Sequence, residues 1–278
     1  MFQLRCTVRN CNGILDKQEQ GLVCVAGHHF DRAREGYWSL LQPQDRKSAK
    51  PGDSDAAVLA RHRWLARGYA SGLIESLLPW TGARVAGRSA EHARILDLGC
   101  GEGSFGPALF ASQANGYCGI DLSKRAIKLA ARKWPAATWV LANADRVLPV
   151  CDASLDCVVS LFGRRPVAEI DRVLAPEGIC IVAVPGEEDL IELREQVQQA
   201  GHRRSRWELV VEEMSACGLQ CVEHQHWKQQ FVLDSVAISD ALAMTYRAVR
   251  YSQQARLESV SQMHVTMAAD LLLLQRVA

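Results

Sequence analysis

The sequence predicts an α/β chain: a doubly wound domain with a parallel sheet, preceded by a small module held together by a metal. Three observations carry that prediction. From Arg94 onward, short apolar runs alternate with amphipathic stretches, the pattern of strands joined by helices. The first run, Ile95-Leu96-Asp97-Leu98, breaks into Gly99-Cys100-Gly101-Glu102-Gly103, a tight turn where the backbone needs positive φ and a ligand can approach it closely. Within the first 36 residues, Cys6, Cys11, Cys24 and His28 form two close pairs of metal-ligating side chains.

Composition narrows the classes. At 278 residues the chain has ample material for a core. A net charge of +1 excludes no partner, but the basic residues are uneven: Arg32, Arg34, Arg46, Lys47, Lys50, Arg61, Arg63 and Arg67 crowd one early segment. Such a run is a solvated face or a nucleic-acid contact. No window approaches the ~20 apolar residues of a membrane span, and Met1–Cys6 lacks the apolar core of a signal peptide. Ten cysteines without a secretion signal point to a reducing, cytoplasmic setting, in which metal ligation outranks disulfides.

Taken in order, residues 1–36 read as a unit. Cys6 and Cys11 flank a short loop, and Cys24-Val25-Ala26-Gly27-His28 follows thirteen residues after Cys11. Two pairs supply four tetrahedral ligands to zinc, and binding contributes folding free energy that so little apolar material cannot. His29 adjoins His28, which is preferred as the ligand; the bland alternative is four unrelated reduced residues. No ligand position is left for water, so the site is structural. Tyr37 and Trp38, near basic residues, either stack on exposed bases or pack the module onto the next domain. Residues 44–53 form a linker. Asp53 or Ser54 caps a helix presenting Val58, Leu59, Trp64 and Leu65, and a second helix through Leu73, Ile74, Leu77 and Leu78 ends at Pro79. The organisation is 1–36 zinc-binding module, 37–80 basic linker and helices, and 81–278 main domain.

In the main domain strands are expected at 94–98, 116–121, 138–142, 155–161 and 178–184, and helices at 104–113, 123–133 and 166–174. Leu174–Gly178 reads as a helix stop and turn. Two further helices, about 187–200 and 205–217, precede antiparallel strands 219–231 and 264–276 around a helical insertion at about 234–257. The second strand ends at Asp121, placed to accept bonds from ribose hydroxyls, or to cap the next helix, for which Ser123 is the better candidate. Asn143 and Asp145 end the third strand, where an acid or amide meets an adenine edge or makes a turn. The fourth ends in Phe162-Gly163-Arg164-Arg165-Pro166. The remaining cysteines read as small core groups, and His224/His226 as two residues on one strand face.

The spacing Gly-x-Gly-x-Gly, with Asp97 two positions ahead, departs from the Gly-x-Gly-x-x-Gly of dinucleotide sites. It resembles motif I of the class I (Rossmann-like) S-adenosylmethionine-dependent methyltransferases. That resemblance implies S-adenosyl-L-methionine as cofactor, held by Asp97, Gly99, Gly101, Gly103, Asp121, Leu122, Asn143 and Asp145. The order of knuckle, basic linker, Pro51-Gly52-Asp53-Ser54, Ala60-Arg61-His62-Arg63-Trp64-Leu65 and glycine loop is more distinctive. It resembles the bacterial 23S ribosomal RNA guanine-N1 methyltransferases of the RlmA type, with Cys6, Cys11, Cys24 and His28 as the matching zinc ligands. Met244-Thr245-Tyr246 stands where that family has Met-Thr-Pro, and Phe162-Gly163-Arg164-Arg165 differs from its aromatic-Ala-Pro. The resemblance implies methyl transfer to guanine N1 in a 23S ribosomal RNA hairpin, by a cytoplasmic enzyme that leaves room for a homodimer. Arg164 and Arg165 are candidates to stabilise charge on O6, or contacts to phosphate. Two rivals stay open: a small-molecule methyltransferase and a non-catalytic RNA-binding relative.

Overall fold

The computed structural model describes residues 2–19, 21–43, 52–85, 93–198, 205–245 and 260–276. Arg46, Lys47, Lys50 and Pro51 of the basic linker, His92, His202, Tyr246 and the 246–257 part of the insertion lie outside them.

The module is a four-stranded antiparallel sheet of β1 (Leu4–Arg5), β2 (Ile14–Gln18), β3 (Gly21–Cys24) and β4 (His29–Asp31), in sequential order. The chain then enters the main sheet at β5 (Trp38–Ser39), which pairs parallel with Val140 and Leu141. Next come α1 (Asp55–Ala66) and α2 (Ser71–Pro79). Ser54, not Asp53, is the α1 cap, its Oγ accepting the Ala57 N–H at 3.2 Å.

The doubly wound part runs β6 (Ile95–Leu98), α3 (Phe105–Phe110), β7 (Tyr117–Asp121), α4 (Lys124–Lys133), β8 (Thr138–Leu141), β9 (Leu155–Leu161), α5 (Val167–Val173) and β10 (Leu174–Pro185). After it come α6 (Ile191–Gln198), α7 (Trp207–Ser215), β11 (Leu219–Asp234), α8 (Ser235–Thr245) and β12 (Gln262–Arg276). The eight-stranded order is β11-β12-β10-β9-β6-β7-β8-β5. β6 to β10 are mutually parallel, β12 runs antiparallel to β10, and β11 closes the edge as the expected long hairpin. The winding reverses at β6, which places a ligand crevice at the carboxyl ends of β6 and its neighbours.

Packing explains how the module joins the domain. The β8–β9 connection, 142–154, contains no helix to cover that face of the sheet. Phe2, Leu4, Leu15, Leu22 and Phe30 of the module cover it instead, in one core with Val140, Ala142, Leu148 and Val150. The Arg5 N–H donates to the Pro149 carbonyl at 3.0 Å, and Glu35 reaches round the edge to Lys128 at 2.9 Å. Tyr37 and Trp38 are 3% and 4% exposed, so they pack rather than present faces to bases. On the other side, α1 lies against α8. Trp64 sits in a core with Leu233, Ile238 and Leu242, and Arg63 forks onto buried Asp240 at 2.6 and 3.1 Å.

Several expected boundaries move: the 104–113 helix is α-helical only to Phe110, the 219–231 strand runs on to Asp234, and two further shifts have a clear cause. The fifth parallel strand starts at Leu174 rather than 178, because Leu174 already pairs with Leu155 and Ala175–Gly178 bulges before Ile179 resumes the ladder. The expected 187–200 helix starts at Ile191, since Leu190 takes φ 52° and donates its N–H to Thr266. Cys100, Cys118, Cys157 and Cys180 are buried as expected, while Cys151, Cys217 and Cys221 are half-buried. His224 Nε2 and His226 Nδ1, on one face, both lie within 3.0 Å of Oδ1 of buried Asp270.

Trp139 fills the interior above β7 and satisfies its buried indole N–H on the Trp134 carbonyl at 2.9 Å. It fits because position 119 has no side chain: a Cβ there would come within 2.6 Å of Trp139 Cε3 and 3.0 Å of Cys100 Sγ. Gly119→Ala is therefore expected to cost about 1–3 kcal/mol. In a Trp139→Leu background the same change costs less, a coupling that urea denaturation of the four proteins measures.

Candidate cofactor site and metal centre

At the metal centre, one ligand atom each from Cys6, Cys11, Cys24 and His28 lies within 4.8 Å of the others. Cys11 and Cys24 Sγ are 3.6 Å apart, and His28 Nδ1 is 3.5 Å from Cys6 Sγ and 3.4 Å from Cys24 Sγ. Ligands about 2.0–2.3 Å from a tetrahedral ion lie about 3.3–3.8 Å apart, so this donor set fits zinc. The Cys24–His28 turn is closed by Gly27, at φ 80°, and the Val8 N–H points at Cys6 Sγ from 3.4 Å. His29 faces outward beside Asp31 at 3.4 Å. His28 is thus the imidazole that converges with the thiols.

The glycine loop has three positive-φ residues with different duties. A Cβ on Gly99 (φ 71°) would press on Gly163 Cα at 3.3 Å. One on Gly103 (φ 76°) would meet Ala130 and Trp139 at 2.7 and 2.8 Å, so this glycine lets the loop pack on α4. One on Gly101 (φ 59°) would meet nothing nearer than the Arg61 guanidinium at 3.8 Å. Gly101 therefore leaves open backbone, and it fits a ligand lying along the loop. Beside it, Asp121 accepts the Gly101 N–H at Oδ2 (2.9 Å) and the Ser123 N–H at Oδ1 (2.7 Å). Each oxygen keeps a lone pair for a hydroxyl. Burial pushes this carboxyl up, against the two N–H bonds.

Asp97 lies beneath the loop, 4% exposed, with its Oδ2 accepting the Tyr117 hydroxyl at 2.5 Å. Burial pushes its carboxyl up to about 7, opposed by the Tyr117 bond. Leu122 is half-buried next to Asp121. Asn143 Oδ1 accepts the Asp145 N–H at 3.0 Å, an Asx turn that presents both groups at the end of β8. The two arginines after β9 separate. Arg164 is 76% exposed, its Nε 3.5 Å from Asp145 Oδ2. Arg165 turns inward, donates to the Gly163 carbonyl at 3.3 Å and loses basicity to burial, with Glu213 opposing that shift. Gly163 itself is demanded by the fold, because a Cβ there would strike the Leu98 carbonyl.

Residues without an assigned role in the sequence also converge here. Glu102, inside the glycine loop, is 2% exposed and holds His62 Nδ1 of α1 at 3.1 Å, with Lys133 Nζ at 3.7 Å. Nothing in the periodicity pairs residues 62 and 102; only the approach of α1 to the loop does.

Comparisons with known proteins match both parts of the chain. Residues 95–178 match a family model described as a methyltransferase domain, and residues 4–50 one described as RlmA, N-terminal, a zinc ribbon. The chain is similar to the 23S rRNA (guanine(748)-N(1))-methyltransferase of Streptomyces fradiae, at 30% identity over 87% of this chain and 84% of that one. It is also similar to Bacillus subtilis YxjB, provisionally named a 23S rRNA (guanine-N(1)-)-methyltransferase, at 33% identity over 72% and 71% of the two chains. A crystal structure of a provisionally named methyltransferase from Bacillus halodurans shares the fold, with TM-score 0.56 and 14% identity over 74% of this chain and 99% of that one.

Stripping zinc with a chelator is expected to release the module's apolar residues from the shared core and uncover one sheet face. Thermal unfolding should shift down by more than about 5 °C, which a loss of about 2 kcal/mol suffices to produce, with a rise in hydrophobic-dye binding. Asp97 gives a pH signature. Its folded value near 7 exceeds the usual carboxylate value, so the folded state holds a proton that the unfolded chain has released. Its contribution is full at low pH and is lost as pH rises through about 7. The stability of the unmodified protein relative to Asp97→Asn should therefore fall between pH 5 and pH 8 in paired denaturation curves.

Proposed function

The chain belongs to the 23S rRNA (guanine-N(1))-methyltransferase family, and on that premise we propose that it methylates N1 of a guanine in 23S ribosomal RNA, using S-adenosyl-L-methionine. One observation carries the reading. A single chain joins a Cys₃His cluster of the RlmA N-terminal type to a methyltransferase glycine loop, and 30% identity to the Streptomyces fradiae enzyme extends over 87% of it.

When bound, the cofactor supplies a methyl group made electrophilic by its sulfonium. The chain's own part is positioning. Asp121, with a free lone pair on each oxygen, takes the ribose hydroxyls, and Leu122 and the Asn143–Asp145 turn take the adenine. Gly99, Gly101 and Gly103 keep side chains off the loop, and Asp97, two residues ahead of it, is fixed by the Tyr117 hydroxyl. Holding donor and acceptor in line at close range supplies most of the acceleration. Guanine N1 carries a proton at neutral pH, and its loss puts negative charge on O6. Arg164, the exposed arginine at the end of β9, is placed to stabilise that charge, while Arg165 braces the turn.

The acceptor we propose is a hairpin loop, whose bases can be splayed out of a stack. Arg9, Arg32 and Arg34 are exposed on the zinc module, which suits it to grip the phosphates. No helix among the described residues is long and apolar enough to cross a membrane.

The test is transfer of label from S-adenosyl-L-methionine to 23S ribosomal RNA. Methylation at N1 blocks the Watson–Crick edge, so reverse transcription should stop beside one guanine. Asp121→Ala is expected to weaken cofactor binding at least tenfold and abolish the stop at low cofactor concentration. Cofactor binding with no label in RNA would refute the assignment.

A further inference from the structure

Two short stretches between β5 and β6, Gly52-Asp53 and Arg61-His62, are no part of the doubly wound scaffold, yet both land on its cofactor loops. Gly52 (φ 83°) presses on the chain after Asp121, where a Cβ would come within 2.8 Å of Ser123 N and 3.0 Å of Leu122 C. Its neighbour Asp53 accepts Arg61 Nη1 at 2.9 Å. At the end of the second turn of α1, Arg61 lies beside the open backbone of Gly101, its Nη1 3.8 Å and its Cδ 4.0 Å from where a Cβ would stand. The next residue, His62, is tied to buried Glu102 of the same loop at 3.1 Å. The helix is thus anchored on the loop, and Arg61 is the side chain it suspends over the second glycine.

Charge says what Arg61 is for. Asp53 and Asp121 both stand at this crevice, and both Asp53 and Arg61 bear on the Asp121 carboxyl. Two carboxylates suit a sulfonium, an ammonium and ribose hydroxyls, but they repel a carboxylate. The amino-acid end of the cofactor carries one. Asp53 uses a single nitrogen of Arg61; among the described residues Nε and Nη2 have no protein acceptor, and the side chain is 34% exposed. Nε and Nη2, two donors on one edge of the planar fork, are thus left over in a side chain that lies beside the loop, and such a pair binds a carboxylate in bidentate fashion.

We propose that Arg61 binds the α-carboxylate of the cofactor's methionyl end, with Asp53 holding the guanidinium in place beforehand. This rests on the methyltransferase reading and adds a ligand from outside the glycine loop.

The experiment is calorimetric titration of the full chain with two probes, S-adenosylhomocysteine and 5′-methylthioadenosine. Both are neutral at sulfur and share adenine and ribose; only the first has the amino-acid end. Arg61→Gln should weaken S-adenosylhomocysteine about 10- to 100-fold and leave 5′-methylthioadenosine within about twofold, with Arg61→Lys in between. Equal weakening of both probes would make Arg61 a structural residue and overturn the proposal, as would no change in either. If Arg61→Gln changes nothing while the unmodified protein binds both probes, the methyltransferase reading stands and this assignment alone fails. If the unmodified protein binds neither, both fall.

Discussion

Asp121 is the brace on which the cofactor crevice depends. Its carboxylate takes one N–H from the glycine loop after β6 and one from the start of α4 after β7. Two chain reversals at the switch point are thereby held in one geometry by a single half-buried charge. The cost of burying that charge is visible in its raised pKa, and the two N–H bonds are what keep the cost tolerable. Gly99 and Gly163 then let the loops after β6 and β9 touch, and Gly103 seats the first against α4. The crevice is a rigid consequence of strand ends meeting, which is why its lining residues come from three separate loops.

The zinc module is part of the domain's packing as well as a candidate RNA contact. Because the β8–β9 connection brings no helix, the part of that sheet face not covered by α5 and α7 would stand open without Phe2, Leu4, Leu22 and Phe30 upon it. Metal coordination, module folding and completion of the main core are thus linked in one structure. The module cannot be loosened without cost to the sheet behind it.

α1 plays the corresponding part on the other side. One helix sends Trp64 and Arg63 into the packing against α8 and its buried Asp240, and sends Arg61 and His62 to the cofactor loops. It couples the C-terminal hairpin region to the crevice through side chains that alternate around its circumference.

Much of this was written in the chain itself. Strand–helix alternation announced the doubly wound domain, Gly-x-Gly-x-Gly with acids at 97 and 121 announced the crevice, and Cys/His spacing announced the metal centre, because each depends on short-range periodicity or local backbone geometry. The sequence left His28 against His29, Asp53 against Ser54, and stacking against packing at Tyr37 and Trp38 undecided. Those choices turn on which way a side chain points once remote segments close around it. The partnership of His62 with Glu102, the separation of Arg164 from Arg165, and the suspension of Arg61 over Gly101 join residues with no shared period. They exist only where α1, the glycine loop and the β9 turn are brought together by burial of a common core, and so the tertiary structure alone decided them.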